Sequence, residues 1–350
     1  MHRHALLLAL SLISSVTVQA GVQAGVARVP LQILRDLGLT SQQIAAVDAG
    51  RPVAKVLPWG DSSEVYVFGA VHVEGAPDTY IEAARDIGRL SRGPGYLGAG
   101  EIREDATVAD LRALAFDPDD VKALKVCREG ACDVQLPTSG IQLFRDGVDW
   151  SRLDAADQAN ALARPAVLTL VQAYRRGGNE ALGEYRDKQH PARVADQFQT
   201  MVGRTSALPD VLPELRRYLI EYPNAALAGA DSFFYWEKVT FGLKPTIRVN
   251  HAVIYRGTAE GRGFRVVAIK QLYATHYVHT ALEMSVCVDD GATVAPRGFY
   301  LLTLRGSEQE GLTGARGVIV RKSVEDKTRS SLESTLASIK RSVEQVTAVR

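Results

Sequence analysis

The sequence predicts an α+β fold, an antiparallel meander sheet wrapping a long C-terminal helix, with a helical insertion ahead of the meander. Three observations carry this expectation. From Asp231 onward the apolar residues change from three- and four-residue steps to a step of two. Five such alternating stretches follow one another across short links rich in turn residues. The chain then closes on "SVEDKTRSSLESTLASIKRSVEQV" (323–346), where Leu332, Leu336, Ile339, Val343 and Val346 fall on one side of a helix.

The chain opens on "MHRHALLLALSLISSVTVQA", with Arg3, an apolar run from Ala5 to Ile13, and small residues ending at Ala20. This is the layout of a secretory signal over residues 1–20, and the run is about half the ~20 apolar residues that span a bilayer. No later stretch is apolar for long enough to be a membrane helix. The expectation is an exported protein, periplasmic or secreted, whose mature chain has no transmembrane helix and for which peripheral membrane contact stays open. Export favours a disulfide between Cys127 and Cys132 in "VCREGACDVQLP". Zinc is the rival, but no His or further Cys stands nearby to complete four ligands. Cys287 is left on an apolar strand as a small buried hydrophobe.

Residues 21–61 read as an N-terminal helical segment, with Thr40 or Ser41 as a cap and Gly50 and Pro52 as a stop. Residues 62–103 hold a strand, "SSEVYVFGAVHVEG", then a helix opened by Ala76-Pro77-Asp78, then "SRGPGYLGAG", whose glycines break the pattern. From 104 to 225 the signals are helical, with Gly, Pro or Asp at the turns. Residues 226–350 hold the meander, with strands expected near 232–242, 246–256, 264–277, 279–288 and 298–306, followed by the final helix. Burying that helix's five apolar side chains is worth on the order of 7–15 kcal/mol before entropy costs, so it must lie against a sheet or another molecule.

This order resembles the helix-grip fold of the START and polyketide-cyclase-like superfamily. The likeness rests on "VYVFGAVHVEGAPDTYIEAARDIGRL" and on "GFYLLTLRGSEQEGLTGARGVIVRKSVEDKTRSSLESTLASIKRSVE", under a third of the chain. The resemblance implies a meander curved around the last helix with an apolar cavity between them. The chain departs from the pattern in its helices over 104–225, in showing six strands rather than seven, and in its long link "GLTGARGVIVRK". "FFYWEKVTFGLKP" (233–245) is also similar to a segment of a family of exported bacterial proteins, and that likeness brings no function with it.

Lys plus Arg total 41 against 40 for Asp plus Glu, so no broad positive field exists to hold a phosphate backbone, and nucleic acid is not an expected partner. Neither an H-E-x-x-H motif nor a G-x-S-x-G elbow occurs, "GLTGARG" lacks the ending of a phosphate loop, and "DPDD" (117–120) reads as a helix start rather than a calcium loop. No metal, cofactor or catalytic residue is therefore assigned.

The expected partner is a hydrophobic small molecule or lipid, bound between sheet and C-terminal helix. Such a cavity needs apolar walls with a few polar groups. On one strand Ile247, Val249, His251, Val253 and Tyr255 share a face, while Thr246, Arg248, Asn250 and Arg256 lie on the other. On the next, Ile269, Gln271 and Tyr273 share a face. The candidate ligand-binding residues are thus His251, Tyr255, Gln271, Tyr273, Val249 and Ile269. In the opposite register Lys270 and His276 are buried instead, and Lys270 then needs an acid such as Glu237 or Glu283. Two alternatives stand beside binding. One is a hydrolase or cyclase-like enzyme using His251 with Tyr255 or Tyr273, and the other is an envelope scaffold with its interface on 104–225.

Overall fold

The computed structural model describes residues 30–90, 95–204, 212–240, 243–259, 262–290 and 298–349; the signal expected at 1–20 lies outside them. Two short helices come first, α1 (Pro30–Asp36) and α2 (Ser41–Asp48). Thr40 starts α2 with a reciprocal cap, its hydroxyl accepting from Gln43 N while the Gln43 side chain accepts from Thr40 N. The hairpin of β1 (Val53–Leu57) and β2 (Glu64–Glu74) follows. Next come α3 (Pro77–Arg85), opened by a proline, then α4 (Ile87–Leu90) and β3 (Tyr96–Glu101). The helical block holds α5 (Pro118–Lys125), α6 (Thr138–Gly147) and α7 (Ala155–Gly177), then the short pair β4 (Glu184–Tyr185) and β5 (Ala192–Arg193), then α8 (Val194–Arg204) and α9 (Pro213–Glu221). The meander is β6 (Asp231–Val239), β7 (Thr246–Ala259), β8 (Arg262–Ala274), β9 (Val278–Asp289) and β10 (Gly298–Gln309), and α10 (Gly314–Val349) ends the chain.

The fold is α+β around one antiparallel sheet of eight strands in the order β1-β2-β10-β9-β8-β7-β6-β3. Two of these strands differ from the sequence expectation. β1 falls in the segment expected to be helical, and β3 forms from the glycine-rich stretch expected to break structure. Gly98 and Gly100 have a physical use there, because the Trp236 indole lies over them; a Cβ on Gly100 would stand 2.7 Å from its Nε1.

Helix α10 lies alongside β2. Arg321 donates to the carbonyls of Asp61 and Glu64, Glu333 accepts from Ala54 N, and Glu344 accepts from Glu74 N. Residues 321–344 of a helix and 64–74 of a strand each cover about 33–35 Å, so the two axes run together. Leu332 and Leu336, both 0% exposed, press onto Gly69, where a Cβ would meet each of them at 2.8 Å. Helix α3 covers another part of the same face, burying Tyr80 and Ile81 and pairing Asp78 with Arg265 at 3.0 Å.

The helical block packs on the face of the sheet opposite α10. There α1, α2, α8 and α9 bury Phe68, Val266, Met284 and Leu302, while α5 to α7 bury Phe234, Trp236, Val249 and Leu272. Both faces of the central strands are therefore interior. Cys127 and Cys132 form a disulfide inside this block, and Cys287 is free and buried. Among the described residues no helix is long and apolar enough to cross a membrane.

Candidate functional site

Strand parity decides which side chains meet. On the face shared with α10, the register pairs Glu237 with Arg248, Asn250 with Gln271, Ile269 with Glu283, and Glu283 with Arg305. A transverse row of charged and polar groups thus crosses β6 to β10. Arg248 meets Glu237 at 3.1 Å and donates from Nε to Gln271 Oε1 at 3.0 Å. Asn250 Nδ2 donates to Glu237 Oε1 at 3.1 Å, which fixes the amide and leaves Asn250 Oδ1 buried without a partner. Arg305 Nε donates to Glu283 at 2.7 Å, and its NH2 reaches Thr335 of α10 at 3.5 Å.

The row is deep, but it is not sealed. Glu237 keeps only 4% of its side-chain surface, and Asn250 and Gln271 are 0% exposed. Yet the Arg248 side chain keeps 23% of its accessible surface, Glu283 31% and Arg305 21%. These three side chains are therefore partly reachable from solvent. Apolar residues of the same face, such as Val67, Val71 and Leu301, are covered by α3 and α10. The reachable floor is therefore mostly polar, with half-buried Ile269 as its apolar member.

The four charges of this floor act on one another and sum to zero. Burial raises the Glu237 carboxyl above the usual range, against the pull of Arg248 and Asn250. Burial works most strongly against the Arg248 charge, but Glu237, Tyr235, Tyr96 and Glu283 together raise its pKa above that of free arginine. The Tyr96 hydroxyl on β3 is pushed up by burial and then by Glu237 and Glu283, so it stays a neutral donor beside the row.

The opposite face holds a different cluster. His251, 0% exposed, stacks on Phe234 at 4.6 Å and is ringed by Tyr174, Tyr218 and Tyr222. Its Nε2 lies 2.7 Å from Ser232 Oγ and its Nδ1 3.2 Å from the Tyr174 hydroxyl. Burial, with Lys270 and Arg175 nearby, drops its pKa to about 3, so the ring is neutral. Lys270 pairs with His251 in register, is also 0% exposed, and donates to Asn179 Oδ1. Its ammonium position is 3.8 Å from the Phe198 ring centre, and burial lowers its pKa well below that of free lysine.

The six expected ligand-binding residues do not share one surface. Gln271 and Ile269 lie on the α10 face, in the polar row. Val249, His251, Tyr255 and Tyr273 lie on the face packed by the helical block. The register is the reason: His251 pairs with Lys270, and Ala252 and Asn250 with Ile269 and Gln271, so the odd residues of β7 face away from Ile269 and Gln271. An irregularity at Val249/Asn250 then turns Tyr273 to the side of Val249. Neither tyrosine bonds His251, because Tyr255 donates to Glu214 and Tyr273 to the Gln135 carbonyl. Lys270 is buried as one register allowed, but Glu237 and Glu283 are on the other face and cannot serve it. His276 bonds Asp120 at 2.8 Å and the Asp133 carbonyl at 2.9 Å, fixing the helical block to the β8–β9 corner.

Arg248, Glu283 and Arg305 were missed by sequence reasoning. The available signal was polar residues at 248 and 250 in a strand flanked by two others, where both faces are covered. Asp61, Glu64 and Glu308 bring carboxylate atoms within 4.8 Å of one another, but Arg204 already pairs with Asp61 and Glu64. Comparison of the chain with protein-family models, with characterised proteins and with solved structures finds no match.

Proposed function

We propose that the protein binds a small molecule in the recess between the sheet and α10, and that the molecule is an amphiphile, a lipid or another hydrophobic compound with a polar head. The head rests on the row from Glu237 to Arg305 and the apolar part against Ile269. The carrying observation is Arg248, deep in the protein with part of its side chain reachable. A guanidinium held by Glu237 and Gln271 is pre-oriented, which lowers the entropy cost of binding. The helix-grip likeness supports the same location, since that fold places its guest between meander and terminal helix. Export to the periplasm or beyond suits a carrier of this kind, and the disulfide accords with it. His251 itself is 0% exposed and meets neither Tyr255 nor Tyr273, which disfavours an enzyme built on those residues, although its partner Ser232 is exposed.

The test is extraction of the protein purified from its native host, followed by mass spectrometry. One amphiphile recovered in near-stoichiometric amount, and lost from an Ile269→Trp variant of unchanged fold, is the expected result. Repeated recovery of no small molecule, together with no binding from a broad amphiphile library, overturns the proposal.

A further inference from the structure

Resting on the recess as a ligand site, we infer that the ligand's head group is polyhydroxylated and uncharged, as in a sugar or polyol head. The inference follows from how the charges are paired. Each arginine of the row has its own carboxylate within a hydrogen bond, Arg248 with Glu237 at 3.1 Å and Arg305 with Glu283 at 2.7 Å. A phosphate or carboxylate placed on either guanidinium also meets the adjacent glutamate, and an ammonium placed on either glutamate also meets the adjacent arginine. A ligand charge of either sign is thus opposed at the spot that attracts it.

A hydroxyl escapes this conflict. One oxygen accepts from the guanidinium and its proton is donated to the carboxylate, so both members of a pair are served without being separated. Several hydroxyls are needed to use the whole row, since its two pairs lie on β6–β7 and β9–β10 with β8 between them, about three strand spacings of ~4.8 Å apart. Donors and acceptors alternate along it, with Arg248, Glu283 and Arg305 reachable, Tyr96 beside them, and Glu237 and Gln271 buried behind. This composition matches a ligand that carries donor and acceptor on each group, not one with a single fixed charge.

The experiment uses one tail and three heads. Dodecyl maltoside, dodecyl phosphate and dodecyltrimethylammonium are titrated into the full mature protein by calorimetry, below their micelle thresholds. The maltoside is expected to bind at least about ten-fold more tightly than either charged head, a difference of about one hydrogen-bonded contact to a charged group. Glu283→Gln, at a half-buried position, leaves Arg305 unopposed. It is expected to weaken the maltoside and strengthen the phosphate, narrowing or reversing their order. A charged head that binds the wild-type protein as tightly as the maltoside overturns this inference and leaves the recess as a ligand site. Binding of none of the three removes both. If the variant fails to fold, the ranking on the wild-type protein decides alone.

Discussion

Lys270→Met tests the charge state of the interior directly. The amine is 0% exposed, donates to Asn179 Oδ1, sits over Phe198, and has no carboxylate among its described partners. Its pKa is lowered by burial from the 10.5 of free lysine. Between the lowered folded value and 10.5, the unfolded chain holds a proton there that the folded chain does not. The unfolded state then binds more protons, so stability rises with pH, by about 1.4 kcal/mol per unit for one such group. This slope is present in the wild-type protein wherever the pH lies between the two values, beyond whatever the other groups contribute. Methionine removes that slope. It also leaves Asn179 Oδ1 without its donor, a cost of about 1–3 kcal/mol that shifts the whole curve without tilting it. His251, whose pKa runs from 6.5 to about 3, titrates below this window and does not confuse it. Urea unfolding of both proteins at pH 7, 8 and 9 measures the two slopes. Equal slopes would mean that Lys270 is charged in the folded protein and that the account of this cluster is wrong.

Gly69→Val drives branched carbons into Leu332 and Leu336, and should lower stability by about 1–3 kcal/mol in thermal unfolding; an unchanged melting temperature would show that α10 does not press on β2. His276 is held by the Asp133 carbonyl at one ring nitrogen and by Asp120 at the other. Asp120→Ala should cost about 1–3 kcal/mol and raise amide exchange in α5, whereas Asp120→Asn, which keeps a hydrogen-bonding group at Nε2, should recover much of the loss; equal effects from both variants would count against this bond as the tie between α5 and the sheet.

The last helix was legible because its apolar stripe alone fixes one face, and that face lies where Leu332, Leu336 and Val343 are buried. The meander was legible because Gly- and Asp-rich turns punctuate a period of two. β1 was not: five residues with irregular burial give too short a pattern, and only its pairing with β2 makes it a strand. β3 was hidden because glycine weakens a strand by itself, and here it is kept to make room for Trp236. The site was half legible. A greasy face on β7 was expected to line a cavity, with Arg248 and Asn250 on the opposite face and given no role. Helices on both sides make Arg248 and Asn250 interior as well. The irregularity that turns Tyr273 away from Gln271 leaves no mark in the sequence.

The sheet does not close on itself, and the lengths of its outer strands bear on how copies of the protein behave in concentrated solution. β1 offers five residues along its free margin and β3 offers six, interrupted near Tyr96 where its register shifts. Neither is long or regular enough to template an incoming chain, and the long, apolar β7, β8 and β9 are shielded between neighbours. Polymerisation through strand addition would first require β1 or β3 to peel away, so the resistance of these two short segments to peeling governs the onset of aggregation.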